Sequence, residues 1–279
     1  MGCGLKICDE RGGRQLVTPN DSRGILYPTK LPTFHREPAD ASLEGRIRWF
    51  WIPRWQLAPG RTVRQEVLPF PASNLVVEPG GVSLVGPSTG ASHRDLSGSG
   101  WAVGALLRPA GLASLRADPQ TIQNTEVQIA APDLHEAVMS AMGEADHEVG
   151  RQRAIAAFSE WAAQHIAPDD ESGRHANAME DLIASDRTVI RVGDIAELLG
   201  TSVRGVQRLA QRYVGLPPLA IIRRYRLQEA AQRLREDPSV KIAQVAADLG
   251  YADHAHLSAD FRNVLGFTPN SYRQTPDHP

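Results

Sequence analysis

Four of the long polar side chains between Gly200 and Gly215 are Arg204, Gln207, Arg208 and Gln211. Their three- and four-residue steps put them on one side of a helix. The planar guanidinium of arginine can take guanine O6 and N7 together, and the glutamine carboxamide can match adenine N6 and N7. By spacing alone such a face is more often only solvated. About 50 residues on there is a second, thinner set: His254, His256, Ser258 and Arg262, with Ala255 and Ala259 among them. Imidazole, hydroxyl and guanidinium groups can donate to phosphates or bases, and alanine methyls can meet thymine methyls. Ser202, Arg212, Arg223 and Arg224 add donors suited to phosphate.

Catalytic chemistry has no comparable footing. GVSLVGPSTG has neither the P-loop nor the dinucleotide spacing. A metal site needs clustered ligands, yet in the strand-like region only His35 and His93 occur, far apart in sequence. Cys3 and Cys8 are too few for a zinc site or a disulfide framework. Trp49, Phe50, Trp51 and Trp55 read as core or interface, because large aromatics mainly supply buried area. No enzyme activity, metal or cofactor is therefore expected, and no residue stands out for a small ligand. No apolar run of about 18 residues predicts a membrane span. The N-terminus has no signal-peptide core and no myristoylation pattern, so a cytoplasmic protein is expected.

The 279 residues suffice for two domains, and 42% hydrophobic with 22% charged residues fits a globular protein. The net charge of −2 hides an asymmetry. Residues 1–186 carry 17 Lys+Arg against 23 Asp+Glu, and residues 187–279 carry 13 against 9. A basic terminal third suggests an anionic partner, nucleic acid first.

Residues 1–40, rich in Pro and Gly, read as an irregular arm. From about 45 to 130 the pattern is strand-like: Ile47–Ile52, a hairpin in NLVVEPGGVSLVG around Pro79-Gly80-Gly81, then Gly100–Leu107, with a short helix from about Leu112. After Pro132 the period becomes helical, and Pro168–Gly173 reads as a loop. Val192, Ile195, Ala196 and Leu199 then share a face before Gly200. Ser202 can cap a helix in which Val203, Val206, Leu209, Ala210 and Tyr213 point inward, opposite the arginines. The layout recurs: Ile242, Val245, Ala246 and Leu249, a stop at Gly250, a cap at Asp253, then Leu257, Phe261 and Val264 inward. Between the two units, a helix opened by Pro217 or Pro218 and closed at Asp237-Pro238 would hold them at a fixed separation. Two helix–turn–helix units joined rigidly can read successive major-groove segments from one side.

The stretches IAELLGTSVRGVQRL, GLPPLAIIRRYRLQEAAQRL and IAQVAADLGYADHAHLSADFRNVLGFTPNSYR resemble the AraC/XylS transcriptional regulators. Gly250, Phe261, Gly266, Pro269 and Tyr272 stand where that family's signature places them. Upstream, EVLPFPASNLVVEP, LVGP and LLRPAGLASL resemble the cupin-like sensor half of some AraC-type regulators. The fold implied is α+β and multidomain: an N-terminal β-rich, cupin-like domain with appended helices, then an all-α domain of two helix–turn–helix units and a linker helix. The expected domains are the arm at 1–40, a sensor or dimerisation domain at 41–185 and a DNA-binding domain at 186–275. The resemblance puts base readout on Arg204, Gln207 and Arg208; with Ala255 and Ala259 on its outward face, the second unit is expected mostly to position. It implies double-stranded DNA as partner, a small-molecule effector, RNA polymerase where the protein activates, and a homodimer. A constitutive regulator with a dimerisation-only N-terminal half is the main alternative, and a cupin-type enzyme fused to a DNA-binding module a weaker one. Arg226 is expected to make structural hydrogen bonds. Relatives usually carry a larger residue at Gly205 and Phe at Ala210, which raises the expectation that a thinned helix approaches a neighbouring helix or the DNA backbone more closely; a merely less stable domain is the alternative.

Overall fold

The computed structural model describes residues 33–274. Cys3, Cys8 and most of the expected arm lie outside them. The arm does not run to 40 as irregular chain, because a strand, β1, already occupies Thr33–Pro38. Its sequence TFHREP has no apolar alternation; pairing with the aromatic strand β2, Ile47–Gln56, from Thr33↔Arg54 to Pro38↔Trp49, makes it a strand.

The main sheet is antiparallel. It also contains β4 (Asn74–Glu78), β5 (Gly81–Val85), β7 (Ser99–Trp101), β8 (Val103–Leu107) and β9 (Glu126–Gln128), in the order β1-β2-β8-β4-β5-β9 with β7 on β2. The expected hairpin is β4–β5, turning through Pro79 and Gly80. A separate two-stranded ribbon pairs β3 (Thr62–Val67) with β6 (Ser92–Ser97). A bulge between Ile47 and Trp49 resets the alternation of β2. As a result Ile47, Phe50 and Ile52 face one core, while Trp49 and Trp51 face another.

The first core lies between the sheet and two helices, α2 (Pro132–Met142) and α3 (His147–His165). Leu134, Val138, Ala154, Phe158 and Ala162 meet Leu75, Val103 and Leu107 there, and Phe50 packs edge-on to Phe158 at 5.4 Å. A short helix, α1 (Pro109–Ser114), follows β8; Pro109 opens it because its missing N–H is not needed at a first helical position. Helix α4, Glu171–Ser185, starts inside the segment expected as a loop, because the Asp170 carboxylate caps it through the Gly173 N–H at 2.6 Å.

The C-terminal part is all helix: α5 (Val192–Leu198), α6 (Val203–Tyr213), α7 (Pro218–Glu236), α8 (Ile242–Asp248), α9 (His254–Leu265) and α10 (Pro269–Gln274). These helices are served by two further cores. One gathers Val206, Ala210, Ile221 and Tyr225 with Met179 and Ile183 of α4 and with Trp49 and Leu106 of the sheet. The other gathers Leu234, Val245, Leu257, Phe261 and Tyr272. Packing thus crosses the expected boundary near residue 186. Among the described residues, no helix is long and apolar enough to cross a membrane.

Candidate nucleic-acid interface

Two copies of one turn build the site. After α5, Gly200 takes φ +61° and after α8, Gly250 takes φ +74°, a left-handed conformation that glycine reaches without strain from a Cβ. Around both, the hydrogen bonds are the same. Gly200 N donates to Glu197 O (3.1 Å) and Thr201 N to Ala196 O (2.9 Å); Gly250 N donates to Ala247 O (3.2 Å) and Tyr251 N to Ala246 O (2.9 Å). This paired closure satisfies carbonyls that the helix end would orphan. The chain then re-enters a helix through a side-chain cap. Ser202 Oγ accepts from Gly205 N at 3.1 Å, and Asp253 Oδ1 accepts from His256 N at 2.7 Å.

Superposing the units by their glycines gives a register. Gly200 pairs with Gly250 and, one residue further out of step, Gly215 with Gly266, both also at positive φ. The extra residue falls in the second turn. Val206, Ala210 and Val214 of the first unit then match Leu257, Phe261 and Leu265 of the second, all buried. On the outer face Arg204 matches Ala255, Gln207 matches Ser258, Arg208 matches Ala259 and Gln211 matches Arg262. Arg204, Gln207, Arg208, Ala255, Ala259 and Arg262 are exposed, and Gln211 and Ser258 are half-buried. His254 and His256, also exposed, match Val203 and Gly205 and so stand at the tip of α9; His256 meets the Tyr251 ring edge-on at 5.3 Å.

Other expected residues distribute unevenly. Ser202 is exposed, and its oxygen is engaged in the cap. Arg212 is exposed, with its guanidinium 5.3 Å above the Tyr213 ring. Arg223 is exposed on α7. Its neighbour Arg224 turns inward and donates to the Thr89 carbonyl. Burial lowers the pKa of Arg224 from the ordinary arginine value, with Asp260 acting the other way. Arg226, 3% exposed, donates to the carbonyls of Asp186 (2.6 Å), Val189 (3.0 Å) and Ile183 (3.5 Å), closing the C-terminal end of α4. Val203 was expected to face inward but is 44% exposed, since the first turn of α6 projects beyond the core. A Cβ on Gly205 would meet Thr201 Oγ1 at 2.6 Å, so its closest neighbour is its own turn rather than another helix.

The register also exposes a pair that the sequence reading passed over. Arg191 and Lys241 are the N-terminal cap residues of α5 and α8, 50 residues apart, and both are exposed. In such units the first helix crosses the backbone of the duplex, which suits a cation at its start. The common offset from Gly200 and Gly250 was the available signal. At the seam between the sheet domain and α6, Pro71–Ser73, Leu107–Pro109 and Leu112 face Tyr213 and Val214 around a cavity of about 10 Å³, the size of a single water. Among the described residues no group of three metal-ligating side chains occurs.

Residues 195–275 match the model of a helix-turn-helix domain family, and residues 35–128 match a domain of unknown function, DUF6597. A Streptomyces antibioticus protein described as an AraC-like transcription regulator is 34% identical over 118 residues, 39% of each chain. Its counterpart in Streptomyces lividans is 33% identical over 121 residues, 40% of each chain. The match thus spans about two fifths of the length of these curated relatives. The crystal structure of apo ToxT K231A from Vibrio cholerae aligns with 85% of this chain and 98% of its own at 15% identity, with a TM-score of 0.44. With the duplicated turn, these matches make residues 195–275 a helix-turn-helix domain and show the chain to be similar, over about two fifths of its length, to AraC-like transcription regulators.

Proposed function

We propose that the chain binds double-stranded operator DNA by laying α6 and α9 in successive segments of one major groove. The observation that carries this reading is the repeated turn: it presents two helices by the same backbone hydrogen bonds, each with its apolar side sunk in a core and its polar side open. Arg204, Gln207 and Arg208 read base edges from α6. On α9 the matching places are held by Ala255, Ser258 and Ala259, so that helix chiefly positions the protein through Ser258, Arg262, His254 and His256. Arg191, Arg212, Arg223 and Lys241 supply phosphate contacts. Arg224 is not among them, because its guanidinium serves the Thr89 carbonyl.

The proposal extends to control by a small molecule bound in the N-terminal domain. Its support is mechanical: that domain packs directly on the helices that carry the reading faces, so a change in it reaches them. A cytoplasmic setting follows from the DNA partner, and where the protein activates, RNA polymerase is the second partner. Binding-site selection from random duplexes with the purified chain tests the DNA reading. The expected product is a site with two conserved blocks about one helical turn apart, the α6 block the more constrained. Enrichment of no sequence would defeat the reading. Thermal-shift screening against metabolites tests the effector, since a ligand of the native state raises Tm. No shift across a broad panel favours a dimerisation-only N-terminal half.

A further inference from the structure

The two helix–turn–helix units have separate buried cores, and two things span both: helix α7 and the N-terminal domain. The N-terminal domain does so through one short loop, residues 68–73, between β3 and β4. Leu68, 1% exposed, is buried in the core of the second unit with Leu234, Val245 and Phe261. Phe70, two residues on, is buried in the core of the first, edge-on to Tyr225 of α7 at 5.3 Å and to Trp49 of the sheet at 5.6 Å. Between them the Pro69 carbonyl accepts from the buried Gln228 side chain of α7 at 2.9 Å. Tyr225 and Gln228 are three residues apart and share a face of α7, so the loop lies across the junction of the units.

The same domain also touches the far end of each reading helix. Gly215, just past α6, lies so close to Pro119 that a Cβ there would be 2.7 Å from the Pro119 carbonyl carbon. In the last turn of α9, the Val264 carbonyl accepts from Ala91 N at 2.9 Å. These grips fall on the C-terminal ends of α6 and α9. The residues proposed to face DNA, Arg204, Gln207, Arg208, His254 and His256, remain exposed. The contacts therefore hold the reading helices without covering them.

We propose that the N-terminal domain is a splint which fixes the spacing and angle between α6 and α9, with Leu68 and Phe70 as its wedge, so that residues remote from DNA set which operator spacing is accepted. This inference rests on the two-segment DNA reading above. Spacing is demanding physically. One base pair moves a groove contact by about 3.4 Å along the axis, and rotates it as well. A single unsplinted helix between two independent cores bends and rolls more than one braced at its middle and at both reading helices.

The test uses the full chain and the selected operator, the same operator with one base pair inserted or deleted between the blocks, and a duplex holding the α6 block alone. Phe70→Ala removes half of the wedge. Ala91→Pro, in an exposed loop, removes the N–H that holds Val264 and fixes φ at that position, and keeps the test open if Phe70→Ala does not fold. For at least one folded variant, affinity for the native spacing should fall about tenfold or more. Affinity for the single block should stay within about twofold, and the penalty for a one-base-pair change should shrink. Equal losses on the full and single-block sites, no loss at all, or a gain in affinity would each overturn the splint. If the wild-type chain itself selects no sequence, the DNA reading fails first.

Discussion

Arg208 carries the sharpest expectation at the level of single residues. It is exposed on the outer face of α6, beside Gln207 and in line with Arg204. If its guanidinium grips a guanine, Arg208→Ala costs about 1–3 kcal/mol of binding and relaxes one position of the selected site. Competition titrations with specific and random duplexes check this; equal losses on both would reduce Arg208 to a phosphate contact. Gly205 now has a local explanation in place of the expected close approach to a neighbouring helix. The obstacle to a side chain is Thr201 Oγ1, on an exposed residue that can change rotamer. Gly205→Ala is therefore expected to keep DNA affinity and to gain up to about 1 kcal/mol of stability from helix propensity, less the cost of turning Thr201. Urea unfolding of the two proteins measures it; a loss of stability would mean that Thr201 cannot yield.

Between α6 and α9 the difference is one of equipment rather than of architecture. The two helices share turn, cap and buried face, yet Arg204 and Arg208 face Ala255 and Ala259 across the register. Ala259→Arg restores a guanidinium at the place of Arg208. It is expected to add a preference, most simply for guanine, at one position of the α9 block, and to tighten binding to sites that carry it by about 1–3 kcal/mol. Repeating the site selection with this variant would show it; an unchanged α9 block would place Ala259 out of reach of the bases. These elements were legible in the sequence because each is punctuated: Gly200 and Gly250 stop helices, Ser202 and Asp253 start them, and apolar residues recur every three or four places between. The ribbon β3–β6 was not. Its exposed Thr62, Arg64, Ser92, His93, Arg94 and Asp95 show no apolar alternation, and its pairing joins Thr62 to Ser97, a long-range partner that local pattern cannot announce. The wedge was hidden for the same reason. VLPFPAS reads as a proline-broken loop, and nothing within it points to Gln228.

The whole molecule behaves as interlocked cores rather than as two bodies on a tether. One junction between them is electrostatic. Glu180 of α4, 1% exposed, accepts from Tyr225 Oη of α7 at 2.8 Å and lies 2.9 Å from Arg48 of β2 and 3.5 Å from Arg108 beside α1. Asp181 completes it, 3.0 Å from Arg48 and 2.7 Å from Arg108. Burial works against the charge of Arg48, but Glu180, Tyr225 and Asp181 outweigh it, and its pKa rises above the ordinary arginine value. Arg48 thus stays charged at any pH of interest, and the junction depends on its carboxylates. Glu180→Gln removes the buried charge that two arginines face, leaving them to the more exposed Asp181. Breaking a buried pair from one side typically costs about 3–5 kcal/mol, and a loss of that order is expected here. Because the lost charge ties sheet, α4 and α7 together, both halves should weaken. Calorimetry of the wild type should give one cooperative transition, and tryptophan fluorescence from the sheet should fall together with helical circular dichroism in denaturant. For Glu180→Gln both signals should shift to lower denaturant. A variant in which the fluorescence midpoint alone moved would show that the junction steadies the sheet domain without coupling it to the C-terminal helices.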